Sequence, residues 1–157
     1  MAVKQKEGQA GEAAVVPDAL RLSGTLLLLL RALDGRARAI GQGDGLTVTD
    51  LGVLGRIERG VALPSKIARD LRLDPARVTH LTDRLVEHGY VERTVDPDDR
   101  RCWRLHLTIA GRERLATGRG DVTEAMEELL VGLDADARAG LFEAMEQVRG
   151  TLDALPK

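Results

Sequence analysis

Between Pro64 and Leu107 the sequence sets three folding signals end to end with no spacer, and few chain paths satisfy all of them. A short helix starts near Pro64-Ser65 and buries Ile67, Ala68 and Leu71. After the tight Arg72-Leu73 link, Asp74-Pro75 forms a second start signal, aspartate as cap and proline in the first turn. Val78, Leu81 and Leu85 then line one helical face until Gly89 stops it. Two short helices joined this tightly make a helix-turn-helix candidate. At once Tyr90 to Val95 supplies β-branched and aromatic residues, Asp96-Pro97 supplies turn chemistry, and Trp103, Arg104, Leu105, His106 and Leu107 alternate apolar with polar. That is an exposed β-hairpin with cations at its tip.

The rest of the chain must support this unit. With 157 residues it suits one domain, and with only Trp103, Tyr90 and Phe142 as aromatics its core must be aliphatic, which favours helices. The single Cys102 excludes an internal disulfide, and His80, His88 and His106 have no metal-ligand spacing, so no metal and no cofactor is expected. Lys4 and Lys6 are followed by Glu7 and glycines rather than an apolar segment, which gives no secretory signal. The run Leu26 to Leu30 lies between Arg21 and Arg31 and is far short of the roughly 20 apolar residues of a spanning helix. The expectation is a cytoplasmic protein with no membrane partner.

Four segments are expected. Residues 1–16 lack periodicity and read as a flexible tail. Residues 17–45 hold a helix from Pro17-Asp18 to about Arg38, apolar on nearly all sides in its middle, then the breaker Gly41-Gln42-Gly43-Asp44-Gly45. Residues 46–107 begin with a helix started by Thr47 and Asp50, carrying Leu51, Leu54 and Ile57, and continue into the helix-turn-helix and hairpin. Residues 108–157 hold a helix capped by Thr108, with a bend or break expected near Gly118 and Gly120, and a last helix from Asp134 with Leu141, Met145, Val148 and Leu152 on its stripe. The outer helices exceed what the central unit needs and suggest a dimerisation body.

The helix over 75–88 turns Arg77, Thr79, His80, Asp83 and Arg84 away from its apolar face. Arginine can bond a guanine edge or a phosphate, threonine can meet a thymine methyl, and histidine can donate to base or backbone. A solvated amphipathic face would look the same in isolation; the adjoining hairpin favours the major groove of DNA. From Pro64 to His106 nine basic residues face eight acidic ones, a net of +1, so binding would rest on placement of charge rather than on its amount.

The run PSKIARDL, DPARVTHLTDRLVEHGYVER, DPDDRRCWRLHLTIAGRERL resembles the core of the MarR family of winged helix-turn-helix transcriptional regulators, closely over residues 46 to 115. The telling steps are Gly89-Tyr90-Val91-Glu92-Arg93 and Asp99-x-Arg101 followed by Leu107, Thr108 and Gly111. The resemblance implies a mainly α fold with a small β-wing, in which a winged helix-turn-helix DNA-binding lobe joins a helical dimerisation lobe built from the N- and C-terminal helices. It implies a homodimer on a pseudo-palindromic operator, a repressor relieved by a small-molecule effector of unnamed identity. Arg101 becomes the minor-groove arginine oriented by Asp99, while Arg100 and Arg93 become phosphate contacts; Ser65, Ala76, Arg77, Thr79, His80 and Arg84 complete the set facing double-stranded DNA.

Cys102 sits beside Arg101, a neighbour that can lower a thiol pKa, although an inert strand residue is the plainer reading. No catalytic constellation is visible: the glycine-rich stretch 41–45 has no preceding strand and no following Lys-Ser/Thr, so an enzyme is not expected. The competing reading is a winged helix used for protein contact without DNA binding.

Overall fold

The computed structural model describes residues 12–41, 43–97 and 99–155. Six helices and one hairpin follow in order: α1 (Glu12–Ile40), α2 (Val48–Glu58), α3 (Pro64–Asp70), α4 (Pro75–Glu87), β1 (Val91–Val95), β2 (Trp103–Leu107), α5 (Ile109–Leu129) and α6 (Ala135–Ala154). This is the mainly helical, winged architecture expected from the sequence. Among the described residues no helix is long and apolar enough to cross a membrane.

Local chemistry sets most boundaries. Thr47 and Asp50 form a reciprocal capping box at α2, with the Asp50 backbone N–H donating to Thr47 Oγ1 at 3.2 Å and the Thr47 N–H donating to Asp50 Oδ2 at 2.7 Å. Asp74 caps α4 by accepting from the Ala76 N–H at 2.8 Å. At the other end Gly89 has φ +72, and the N–H groups of Gly89 and Tyr90 donate to the Val86 and Leu85 carbonyls, each at 2.9 Å. This Schellman pattern favours glycine because a Cβ is disfavoured at positive φ.

Two expectations are corrected. Helix α1 begins at Glu12, not at Pro17-Asp18, so residues 12–16 of the expected tail are helical and only 1–11 lie outside the described residues. Glu12, Ala13 and Ala14 have high helix propensity, which outweighs the proline signal. Helix α5 runs unbroken through Gly118 and Gly120. Gly118 is there for closeness: a Cβ would stand 2.4 Å from Leu51 Cδ2 on α2, so the glycine lets the two helices approach.

The main core joins α2, α3, α4, the hairpin and the first turns of α5 around Leu54, Ile67, Val78, Leu85, Leu105 and Leu115. A second, small cluster of Leu33, Ala37 and Ala125 joins α1 to α5. Gly111 seals the junction between wing and α5, since a Cβ there would lie 2.0 Å from the Tyr90 carbonyl oxygen. Gly111→Ala is expected to cost about 1–3 kcal/mol by overpacking, read as a lower urea midpoint with an unchanged m-value.

Candidate nucleic-acid interface

The turn between α3 and α4 is made by Leu71, Arg72 and Leu73, with Arg72 at φ +50, an uncommon conformation for a side chain with a Cβ. It delivers α4 with Val78, Thr82 and Leu85 buried and Ala76, Arg77, Thr79 and His80 exposed. Ser65, Lys66 and Arg69 of α3 are exposed as well. Neither the Arg77 guanidinium nor the His80 ring pairs with another described residue, and Thr79 Oγ1 donates to the Pro75 carbonyl at 3.1 Å. The result is an open surface whose donors are free to meet an outside acceptor.

The hairpin holds its tip by backbone bonds. Strands β1 and β2 are antiparallel with Val91 opposite Leu107 and Val95 opposite Trp103. The Cys102 N–H donates to the Asp99 carbonyl at 2.9 Å and the Asp96 N–H to the Cys102 carbonyl at 3.0 Å. Asp96 is 3% exposed and accepts from Arg104 Nε at 2.9 Å, which anchors the base of the loop. Asp99 Oδ1 accepts from the Arg101 backbone N–H at 3.0 Å, so it shapes the turn under Arg101. The side chains of Arg100 and Arg101 are exposed and engaged by no other described residue.

Three residues of the expected set are tied within the chain. Arg84 Nη2 pairs with Asp50, whose side chain is fully buried, and this bond links the inner side of α4 to the start of α2. Arg93 Nη2 pairs with Asp83 and donates to Thr82 Oγ1 at 3.2 Å, joining β1 to α4. Asp99 bonds the backbone, as above. Each fixes the orientation of α4 or the wing, a role invisible in the sequence because the partner of Arg84 is 34 residues away and nothing local marks the pair.

The Cys102 thiol is raised, in line with the plainer reading of an inert residue and against the lowering that a neighbouring arginine could cause. It donates to Asp99 Oδ2 at 3.4 Å, and the adjoining carboxylates of Asp99 and Asp96 oppose a thiolate. Arg101 is next in sequence, but its guanidinium is not among the causes of the shift.

A further cluster went unread. Arg114 of α5, 5% exposed at its side chain, is bonded to Asp44 Oδ2 at 2.5 Å and Oδ1 at 3.1 Å and to Asp121 Oδ2 at 3.3 Å; the Tyr90 hydroxyl donates to Asp44 Oδ2 at 3.0 Å. The Arg114 guanidinium holds the Asp44 carboxyl at about 2, below its ordinary 3.8. Asp44 lies in the stretch read from sequence as a linker, where its only signal was a lone acid among glycines.

Comparison with known proteins places this geometry. Residues 46–103 match the sequence pattern of the MarR family. The uncharacterized HTH-type transcriptional regulator YdgJ of Bacillus subtilis is 28% identical over 89 residues, 57% of this chain and 54% of that protein. YhbI of the same organism is 38% identical over 69 residues, 43% of this chain and 45% of that protein, so the match spans about half the length of these relatives. Among solved structures, mutant MarR from E. coli complexed with operator DNA is 25% identical with a TM-score of 0.70, covering 86% of this chain and 95% of that one. The helix-turn-helix and wing thus match the MarR-family pattern over residues 46–103, and the arrangement of the flanking helices is similar to that of the E. coli MarR structure.

Proposed function

We propose that this chain is a sequence-specific DNA-binding transcriptional regulator that reads a pseudo-palindromic operator as a homodimer. The observation that carries this reading is the pairing of an open α4 face (Ala76, Arg77, Thr79, His80) with an exposed cationic wing tip (Arg100, Arg101) on one rigid unit. A helix with free donors suits a major groove, and an arginine on a narrow hairpin suits the minor groove beside it. Arg84, Arg93 and Asp99 act as positioning residues; Ser65 at the start of α3 adds a hydroxyl for a phosphate. The operator complex of the E. coli relative supports the same use. Electrophoretic retardation with DNA selected from a random pool tests it: an inverted repeat with half-sites about 10 base pairs apart is expected. Arg77→Ala and His80→Ala should each relax base preference and cost about 1–3 kcal/mol where a bidentate contact is lost. Equal weakening on selected and random DNA would assign them to phosphates instead.

Dimerisation is assigned to residues 17–45 and 108–157. Leu28 of α1 is 66% exposed in the single chain, and Leu141, Met145, Val148 and Leu152 of α6 are exposed too. With Leu33 and Leu129 these helices enclose an apolar hollow of about 260 Å3, the kind of surface a second copy covers. Met145→Glu combined with Leu152→Glu should give a monomer at micromolar concentration by sedimentation equilibrium; a dimer persisting in that variant would remove α6 from the interface.

The repressor role with a small-molecule effector rests on an open groove of about 520 Å3 between α2 and α5, floored by Leu51, Leu115 and Val122 with Arg59 and Arg119 at its edge. A ligand wedged there would act on the α2–α5 contact that Gly118 makes close. The near-neutral charge of the central unit favours the second reading, a protein-contact winged helix, and absence of retardation at any salt concentration would select it.

A further inference from the structure

Trp103 is 53% exposed, the single tryptophan of the chain, and stands opposite Val95, itself 51% exposed. An indole left in water on a rigid strand is a poor use of a large apolar group unless something covers it. The register says which way it faces. Side chains alternate along a strand, so the pairs Val91 with Leu107, Arg93 with Leu105, and Val95 with Trp103 share one sheet face. The first pair is buried in the core, and Leu105 is 1% exposed. Arg93 on that face reaches Asp83 and Thr82 of α4. Val95 and Trp103 continue the face outward, past the end of the core, on the side turned to α4. Two residues before Trp103, toward the hairpin tip, is Arg101, with Arg100 next to it.

A helix in a major groove and a hairpin tip in the neighbouring minor groove straddle the sugar–phosphate strand that separates the two grooves. The inner side of the wing, between α4 and the tip, is where that strand must pass. We propose that Trp103 is a DNA-contact residue whose indole, backed by Val95, lies against the deoxyribose groups of this strand and directs its N–H to a phosphate oxygen. The assignment deepens the DNA-binding reading and rests on it. The neighbouring cations Arg100 and Arg101 argue for a polyanion as the occupant, and the apolar plane beside them suits the C–H edges of the sugars. Contact with sugar and phosphate carries no base information, so Trp103 adds affinity to operator and random duplex alike.

Because this chain has one tryptophan, its emission reports this residue alone. The full chain is titrated with the duplex selected from a random pool while binding is followed independently by anisotropy of labelled DNA. Saturation should change the emission intensity and lower the acrylamide quenching constant at least about twofold. Trp103→Ala should weaken binding to both selected and random duplex by about tenfold, the equivalent of about 1.4 kcal/mol, with unchanged melting temperature and an unchanged salt slope, since no cation is removed. Trp103→Phe should recover only part of the loss, because it restores the ring and not the N–H donor. Anisotropy showing tight binding while emission and quenching stay as in the free protein would overturn the proposal and leave the DNA-binding reading standing. A quenching constant already low before DNA is added would also overturn it, by placing the indole against a second copy of the chain. Absence of binding to every duplex would end both readings together.

Discussion

Arg114→Met is expected to lower the free energy of unfolding by about 3–5 kcal/mol, the usual cost of leaving a buried charge without its partner. The arginine is shared by two carboxylates, Asp44 and Asp121, both with side chains little more than a tenth exposed, and it also lies beside the Tyr90 hydroxyl bonded to Asp44. Removing it strands two acids in one place, whereas replacing Asp44 alone would leave Asp121 as counter-charge and cost less. The cluster joins three parts of the chain: the stretch before α2, the entry to the wing and the middle of α5. Its loss should therefore loosen the α1–α5 packing against the winged unit, visible as early amide exchange in residues 41–46. Chemical denaturation measures the main effect, and a loss under 1 kcal/mol would show the cluster to be neutral. The acid limb is a second check. Asp44 is depressed from 3.8 to about 2, so its contribution of about 2 kcal/mol is present above about pH 4 and lost as pH falls toward 2. In Arg114→Met stability should fall less steeply over that window than in the parent.

Arg101→Ala should separate stability from affinity. The side chain stands at the tip of a hairpin, exposed and bonded to no other described residue, so folding should be untouched within about 0.5 kcal/mol. Operator binding should weaken by about 1–3 kcal/mol, and the plot of log affinity against log salt should flatten by about 0.9 if one counterion is no longer displaced. Asp99→Ala acts differently. Its carboxylate holds the Arg101 backbone N–H and the Cys102 thiol rather than the guanidinium, so the variant keeps the charge and loosens the loop that aims it. The salt slope should stay near the parent value while affinity drops modestly. Adding Asp99→Ala to Arg101→Ala should then change little, because an unarmed loop has nothing left to aim.

How far the sequence could be read follows from the range of each interaction. The capping box of Thr47 and Asp50, the Asp74-Pro75 start, the Gly89 stop and the Thr108 cap act within a few residues, and the elements they delimit were legible from the chain alone. The alternation over 103–107 was legible for the same reason. Gly118 misled because glycine in a helix signals weakness locally, while here the decisive neighbour is Leu51, far back in the chain. Arg84 was visible as a cation on the exposed face of its helix and Arg93 only through the resemblance, as a phosphate contact; that one turns to Asp50 and the other to Asp83 depends on how α2, α4 and β1 pack. Arg114, Asp44 and Asp121 carried no pattern in sequence, since their meeting is set by the tertiary fold. For Cys102 the plainer reading of an inert thiol fits, but its cause was not legible: adjacency pointed to Arg101, whereas the turn folds Asp99 back onto the thiol.

On the proposed function, α4 and the wing together read DNA sequence as a dimer. Anisotropy titration of the full chain against a duplex selected from a random pool, and against the same duplex with its half-sites scrambled, tests it most directly. At near-physiological salt one dimer per duplex and a preference of about 1,000-fold or more for the selected site are expected, with both affinities falling as salt rises. Equal affinity for the two duplexes, or binding of one monomer per duplex with the same strength, would contradict it.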